Sequence, residues 1–178
     1  MRADRIDPRV TYGLLLAWTV HDIEELALGP RWLRENLPDL RRRFPGVPEP
    51  VWRAVGAVDE REFALAVGVM AGIVAAAAAA GARSGGRSGF YQGALDGFGL
   101  HGLVHLAQAA AVRDRTPGSV TSALVVIPFT LWARGRLRRA GVLRPARTRD
   151  AAAGLTLAAG ATVAAHAAAR RLARRFPG

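Results

Sequence analysis

The sequence contains neither cysteine nor lysine, and each absence narrows what the protein can be. Without cysteine, the 178-residue chain has no disulfide framework, no zinc finger and no thiol chemistry. Any metal site must then be built from histidine, carboxylate and amide groups. Without lysine, all 25 positively charged side chains are arginines, and with 14 acidic residues the formal net charge is +11.

The arginines are concentrated in short clusters rather than spread along the chain. Clusters such as 41–43, 138–139, 170–171 and 174–175 are separated by long stretches with few charges. A basic chain usually suggests a nucleic-acid partner, because arginine contacts to phosphate dominate that affinity. Here the clusters flank hydrophobic stretches, which is typical of membrane proteins whose charges lie beside anionic headgroups. We therefore expect the lipid bilayer and its anionic headgroups as partners, and no nucleic acid.

Five apolar segments approach the roughly 20 residues that a helix needs to cross a bilayer core about 30 Å thick. The predicted spans are 10–28, 63–82, 90–112, 117–133 and 151–169. The first span is interrupted by charges and lacks a small-x-small cleavage site, so we expect it to be retained rather than removed as a signal peptide. The predicted fold class is all-α: one domain, 1–178, forming a polytopic membrane bundle of about five transmembrane helices. The expected location is the cell membrane, as a multi-pass protein.

The segment between the first two spans, 29–62, mixes prolines with tryptophan, leucine and phenylalanine. This composition indicates short amphipathic helices lying at the membrane interface, with tryptophans at headgroup level and arginines toward the headgroups. An ordinary cytoplasmic loop is the alternative, and the sequence does not separate the two.

The first span carries the residues that point to chemistry, in the motif H-D-I-E-E at 21–25. At about 100° per residue, Glu24 and Glu25 lie one helical turn from His21 and flank its direction, whereas Asp22 points away from Glu24. A carboxylate at membrane depth costs at least a few kcal/mol unless it is paired or binds a cation, so Glu24 and Glu25 are expected to face the bundle interior. An interfacial helix whose acidic end meets the following arginines is the alternative.

The third span contributes two histidines, His101 and His105, spaced i and i+4 on one face. Such a pair can chelate one cation, although alone it can also serve only helix packing. If 63–82 crosses the membrane once, the first and third helices are parallel. His21 and His101 then each lie about 16 Å along their helix and share one depth, which favours a common metal site. Asp96 faces away from His101 and is expected to pair with an arginine from a neighbouring turn.

These residues resemble the HXXEE family of predicted membrane proteins, whose motifs are H-x-x-E-E, N-A-x-x-H and Y-x-P-G in that order. The first motif is intact at 21–25, the second appears as H-G-L-V-H at 101–105, and the third as R-T-P-G at 115–118. Histidine and glycine replace the asparagine and alanine of the second motif, and Arg115 replaces the tyrosine of the third. The resemblance covers most of the chain and implies a membrane location and the His/Glu cluster, but no reaction.

Two other features have plain structural readings. Pro117 fits the first turn of the fourth helix, where its missing N–H costs nothing, with Thr116 as the N-cap. This reading is preferred over a catalytic role for the Pro117-Gly118 turn. His166 is expected to lie at the interface or to pack, rather than to bind metal.

The candidate metal ligands are therefore His21, Glu24, Glu25, His101 and His105, and the candidate catalytic carboxylates are Glu24 and Glu25. Imidazole with carboxylate suits zinc, iron or manganese. In one reading the protein is a membrane metalloenzyme, a hydrolase or oxidoreductase on a lipid or another apolar substrate, in which one glutamate deprotonates a metal-bound water. In a second reading the cluster is a proton or metal-ion pathway of a transporter-like or accessory protein. In a third it only fixes the helix register.

Overall fold

The structure, a computed structural model of the chain, describes residues 6–145, 160, 163–169 and 171. Within these residues the elements are helical and none is a strand, which confirms the all-α prediction. The first four helices are α1 (Pro8–Arg43), α2 (Glu49–Gly56), α3 (Glu60–Arg83) and α4 (Gly89–Val112). A short α5 (Ser119–Thr121) continues through a π-helical segment (Ser122–Val126) into α6 (Ile127–Arg139), and we refer to this continuous element as helix 119–139.

Helix α1 is longer than the sequence pattern predicts. Asp7 caps its start by accepting from the Arg9 N–H at 2.8 Å, and Pro8 occupies the first turn. The helix does not end at Leu28 but continues through Pro30 to Arg43, 36 residues or about 54 Å. It is therefore much longer than a bilayer core about 30 Å thick.

Contacts with α2 and α3 hold the continuation of α1 in place. Arg34 donates to the Glu60 carboxylate at 2.8 Å, and Leu37 packs so closely on Gly56 that an added Cβ would lie 2.8 Å from it. Pro30 and Pro38 both lie inside α1, and each internal proline removes one helical hydrogen bond at a cost of about 3 kcal/mol, which the packing of the fold as a whole must offset. The segment 29–62 thus begins as a helical extension, and only its later part holds a separate short helix, α2, with no buried residue.

Helices α1 and α4 run parallel. Near their starts the Tyr91 hydroxyl donates to the Val10 carbonyl, and eleven residues further along α1 the His21 ring meets His101. Helix α3 connects the two in the opposite direction, with its C-terminal Gly81 packed against the Tyr91 ring. The prediction that His21 and His101 lie at one level along two parallel helices is therefore confirmed.

Helix 119–139 packs antiparallel to α4 through small residues. Along this contact, residue numbers rise on one helix as they fall on the other. An added Cβ on Gly99 or Gly102 of α4 would lie 2.7 Å from the side chain opposite it. The paired residues are Asp96 with Arg134, Gly99 with Thr130, and Gly102 with Val126. The ion pair between Asp96 and Arg134 confirms an arginine partner for Asp96, although Arg134 lies on helix 119–139 and not in a neighbouring turn.

An apolar core fills the half of the bundle next to the start of α1. It includes Val10, Leu14, Trp18, Leu95, Phe98 and Leu137. These side chains fill that half of the interior. The histidine and glutamate side chains described below lie in the other half.

Within the described residues, α3 is the one helix that is both long and apolar enough to cross a membrane. Only 22% of its most apolar stretch is buried within the protein, which is unlike the core helix of a water-soluble domain. Most of the fifth predicted span, 151–169, lies outside the described residues. Residues 163–169 are helical, and Ala165 and Ala169 pack on Ala66 of α3.

Candidate metal centre

Four side chains from two helices converge inside the bundle: His21 and Glu25 from α1, and His101 and His105 from α4. Each offers one ligand atom, and the four atoms all lie within 4.8 Å of one another. The His101 Nε2 atom lies 3.1 Å from His21 Nε2 and 3.0 Å from His105 Nε2. Glu25 Oε1 lies 3.1 Å from His105 Nε2, and its Oε2 lies 3.7 and 3.8 Å from the other two Nε2 atoms. We call these four residues the His/Glu cluster.

The spacing within the His/Glu cluster suits a single small cation. Bonds of 2.0–2.1 Å to a tetrahedral ion place neighbouring ligand atoms about 3.3 Å apart. The five distances above run from 3.0 to 3.8 Å, on either side of that value. The cluster could therefore hold one metal ion with small side-chain adjustments.

The His/Glu cluster is sheltered on most sides and open on one. The exposed side-chain fraction is 0% for His21, 9% for His105 and 17% for Glu25, but 45% for His101. Any ion or small molecule that reaches the cluster would therefore approach along the exposed edge of His101 on α4.

The turn before helix 119–139 orients His105. The His105 Nδ1 atom lies 2.9 Å from the Pro117 carbonyl oxygen, and because a carbonyl only accepts, Nδ1 carries the hydrogen. Its Nε2 lone pair is thereby left facing the cluster, as in metal-binding histidines held by an outer partner. Gly118 follows with φ +79°, and an added Cβ there would lie 2.7 Å from the His105 ring and 2.9 Å from the His21 ring. Only glycine fits both that backbone conformation and that space.

Glu24 lies outside the His/Glu cluster. Its carboxylate accepts from the Gly118 N–H at 3.1 Å, from the Thr121 N–H at 2.8 Å and from the Thr121 hydroxyl at 2.6 Å. Glu24 therefore caps the N-terminus of helix 119–139, where free N–H groups and the helix dipole stabilise a negative charge. Thr121 Oγ1 also lies 2.8 Å from His21 Nδ1, which links this cap to the cluster.

The model of one protein family, described as a protein of unknown function with an HXXEE motif, matches residues 12–133. The chain belongs to this HXXEE family. The matched region contains the whole His/Glu cluster as well as Glu24 and its partners on helix 119–139. No curated protein and no solved structure matches the chain.

The three sequence segments that carry the resemblance, 21–25, 101–105 and 115–118, meet at one place in the fold. The first supplies His21, Glu24 and Glu25, the second supplies both histidines of α4, and the third supplies Pro117 and Gly118 around them. The sequence pattern marks all of these positions. It does not mark Thr121, which belongs to no motif and lies directly before the π-helical segment Ser122–Val126. Such π-helical turns are frequent at functional sites.

The prediction that Thr116 caps the fourth helix and that Pro117 lies in its first turn is wrong, because the helix begins at Ser119. Gly118 is the residue that precedes the helix, and it makes no side-chain cap. Instead the Ser119 hydroxyl donates to the Thr116 carbonyl at 2.6 Å, and the buried Thr116 hydroxyl has no hydrogen-bond partner among the residues that the structure describes. The left-handed turn at Gly118 exposes the helix N–H groups to Glu24, so a carboxylate from α1 replaces the local cap.

Two other polar residues lie apart from the His/Glu cluster. Asp22 is buried, and within the described residues it makes no hydrogen bond or ion pair. His166 pairs with Glu62 of α3 at 2.8 Å and packs near Phe63. This contact fits the packing role predicted for His166 and leaves it away from the candidate metal centre.

Proposed function

We propose that this protein is a multi-pass membrane metalloprotein whose His/Glu cluster binds one zinc, iron or manganese ion. The observation that carries the proposal is the spacing of four ligand atoms within 4.8 Å of one another inside the bundle. Three imidazoles with one carboxylate form a ligand set that suits these metals. Burying the Glu25 carboxylate without a charged partner would be costly, and a bound cation would compensate its charge.

The distribution of apolar side chains supports the membrane location. Large apolar residues lie exposed on the outer faces of α1, α4 and helix 119–139, while ionisable residues occupy the interior. The exposed residues include Leu16, Ile23, Leu103, Val104, Leu124 and Leu131. Lipid is the environment that stabilises such an arrangement, because water would leave a large apolar surface uncovered. We therefore propose that these three helices cross the membrane together with α3 and the fifth predicted span.

We further propose that the centre is catalytic and acts on a lipid or another apolar substrate. A bound metal ion would activate a water molecule for attack or support oxidation, depending on the ion. Within the chain, Glu25 is the carboxylate placed to bind the ion or to accept a proton, because Glu24 already accepts three hydrogen bonds. Zinc itself does not change oxidation state and would act by polarising a bond or activating water, whereas iron or manganese could support either that chemistry or a redox reaction.

The alternative, a proton or metal-ion pathway, has less support. A pathway needs polar groups that continue from the His/Glu cluster to both membrane faces. Between the cluster and the start of α1, the interior is instead filled by Leu14, Trp18, Leu95 and Phe98. These apolar side chains favour a closed site that is open at the His101 edge.

The test is the metal content of the full-length protein purified in detergent and offered zinc, iron(II) or manganese in turn. We expect one tightly bound ion per chain in the wild type, and its loss in His105→Ala and Glu25→Gln. His166→Ala is the matched control, because it removes a histidine that lies outside the cluster. A wild-type protein that binds none of the three metals would overturn the proposal, and the cluster would then serve only helix packing.

A further inference from the structure

We infer that Glu24 is a positioning residue that acts through the Thr121 hydroxyl to fix the tautomer of His21. Neither residue needs to touch a metal ion for this role. The inferred effect on metal affinity rests on the proposed function, whereas the hydrogen-bond chain itself does not. Thr121 belongs to none of the family motifs, so only the geometry points to it.

The hydrogen positions in the series of hydrogen bonds from Glu24 through Thr121 to His21 can be assigned from the donor and acceptor capacity of each group. An ionised carboxylate only accepts, and the Thr121 hydroxyl carries a single hydrogen. Its nearest acceptor is Glu24 Oε2 at 2.6 Å, whereas the Gly118 carbonyl lies 3.5 Å away. The hydroxyl hydrogen therefore points to Glu24, and Thr121 Oγ1 must accept from His21 Nδ1 at 2.8 Å. His21 accordingly carries its hydrogen on Nδ1 and has a bare Nε2.

With this tautomer, the His/Glu cluster has fewer N–H hydrogens than acceptor atoms that face one another. His21 Nε2 and His105 Nε2 both present lone pairs, and each lies within 3.1 Å of His101 Nε2. A neutral His101 has at most one hydrogen on that atom, which can satisfy only one of the two neighbours. The lone pairs that remain facing one another repel unless a cation lies between them. The hydrogen bonds from Glu24 through Thr121 therefore hold the cluster in the form that binds a metal ion.

The Glu24 carboxylate also positions His105, through the turn that contacts its Nδ1 atom. By binding the Gly118 and Thr121 N–H groups, Glu24 holds the turn whose Pro117 carbonyl accepts from His105 Nδ1. One side chain of α1 thus orients a metal-binding histidine on each of two helices. Outer-shell groups of this kind typically change metal affinity by about 10–100-fold when removed.

The first experiment measures the tautomer directly, in metal-free, full-length protein labelled with 15N-histidine in detergent micelles. Long-range 1H–15N correlation distinguishes a protonated Nδ1 from a protonated Nε2, and single-histidine variants assign the signals. We expect the Nδ1–H form of His21 in the wild type and in Thr121→Ser, which keeps the hydroxyl. Thr121→Val keeps the shape without the hydroxyl, and we expect it to lose that form. Glu24→Ala should also lose it, because the Thr121 hydroxyl then has no carboxylate to donate to and its hydrogen can turn to His21 Nδ1.

The second experiment measures zinc affinity by competition with a chelator. We expect Thr121→Val and Glu24→Ala to bind one zinc ion about 10–100-fold more weakly than the wild type, with Thr121→Ser close to wild type. Unchanged His21 signals and unchanged affinity in Thr121→Val would overturn the inference, as would complete loss of zinc in Glu24→Ala, which would make Glu24 a ligand. If the wild type binds no metal but the ring signals change as expected, the proposed function fails while the positioning role of Glu24 stands.

Discussion

Glu24 and Glu25 are adjacent in the sequence, yet their carboxylates bind different helices. Glu25 Oε1 lies 3.1 Å from His105 Nε2 of α4, whereas Glu24 Oε2 accepts from the N–H and hydroxyl of Thr121 on helix 119–139. Consecutive residues of an α-helix point about 100° apart, so this turn of α1 reaches two neighbours at once. The paired glutamates of the family motif therefore have two distinct structural roles.

Glu25→Gln is expected to weaken zinc binding more than about 100-fold, because it removes the only carboxylate of the His/Glu cluster. Substituting a residue that only orients a metal ligand typically changes affinity by about 10–100-fold. Asp22→Asn, on the same helical turn, should leave zinc binding near the wild-type value. Chelator competition on both variants measures the difference. Equal affinities in the two variants would mean that Glu25 does not contact the ion.

Chelation is expected to lower the thermal stability of the metal-loaded protein. A ligand present at 100 times its Kd stabilises the folded state by about 2.7 kcal/mol, and its removal should lower Tm accordingly. Thermal unfolding with and without EDTA measures the shift, and metal-free His101→Ala serves as the control that should not respond. A wild-type Tm that is insensitive to both zinc and EDTA would contradict this expectation.

Gly118→Ala and Gly141→Ala separate backbone strain from damage at the cluster. Both glycines have positive φ, +79° and +67°, so each alanine should cost about 1–2 kcal/mol of stability. At Gly141 nothing lies within 4 Å of an added Cβ, but at Gly118 it would press on the His105 ring. We expect only Gly118→Ala to weaken zinc binding. Similar zinc affinities for both variants would argue against close packing of this turn on the histidines.

Two glycines of α3 are expected to respond to alanine with opposite signs. At Gly81 an added Cβ would lie 2.5 Å from the Tyr91 ring, and overpacking of this kind costs about 1–3 kcal/mol. At Gly72 nothing lies within 4 Å, so alanine should raise helix stability by up to about 1 kcal/mol. Thermal unfolding in detergent compares the two. A destabilised Gly72→Ala together with a neutral Gly81→Ala would contradict the packing of α3 against α4.

The full-length chain is expected to stay in the membrane pellet after alkaline carbonate extraction. Leu124→Arg should reduce that recovery, because it places a charge on the outer face of helix 119–139. Val51→Arg is the control, since Val51 is also an exposed apolar residue but lies on the short helix α2. Recovery of the wild type as a soluble monomer without detergent would defeat the membrane proposal.

Much of the candidate centre follows from local helical geometry. A repeat of 3.6 residues per turn places His21 and Glu25 on one face of α1, and His101 and His105 on one face of α4. Equal distances along two parallel helices then bring the two pairs to one depth. The faces and the distances along each helix are set by the backbone itself, whereas the packing of α1 beside α4 is a tertiary contact.

The sequence by itself therefore determined the helical class, the motif residues and the faces on which they lie. Only the tertiary structure decided that α1 continues past Pro30, that Glu24 caps helix 119–139 instead of joining the cluster, and that Thr121 meets His21. Each of these depends on contacts between segments far apart in the chain, whose free energy can override a local proline or cap preference. A local pattern carries no information about which distant N–H or hydroxyl a side chain will meet.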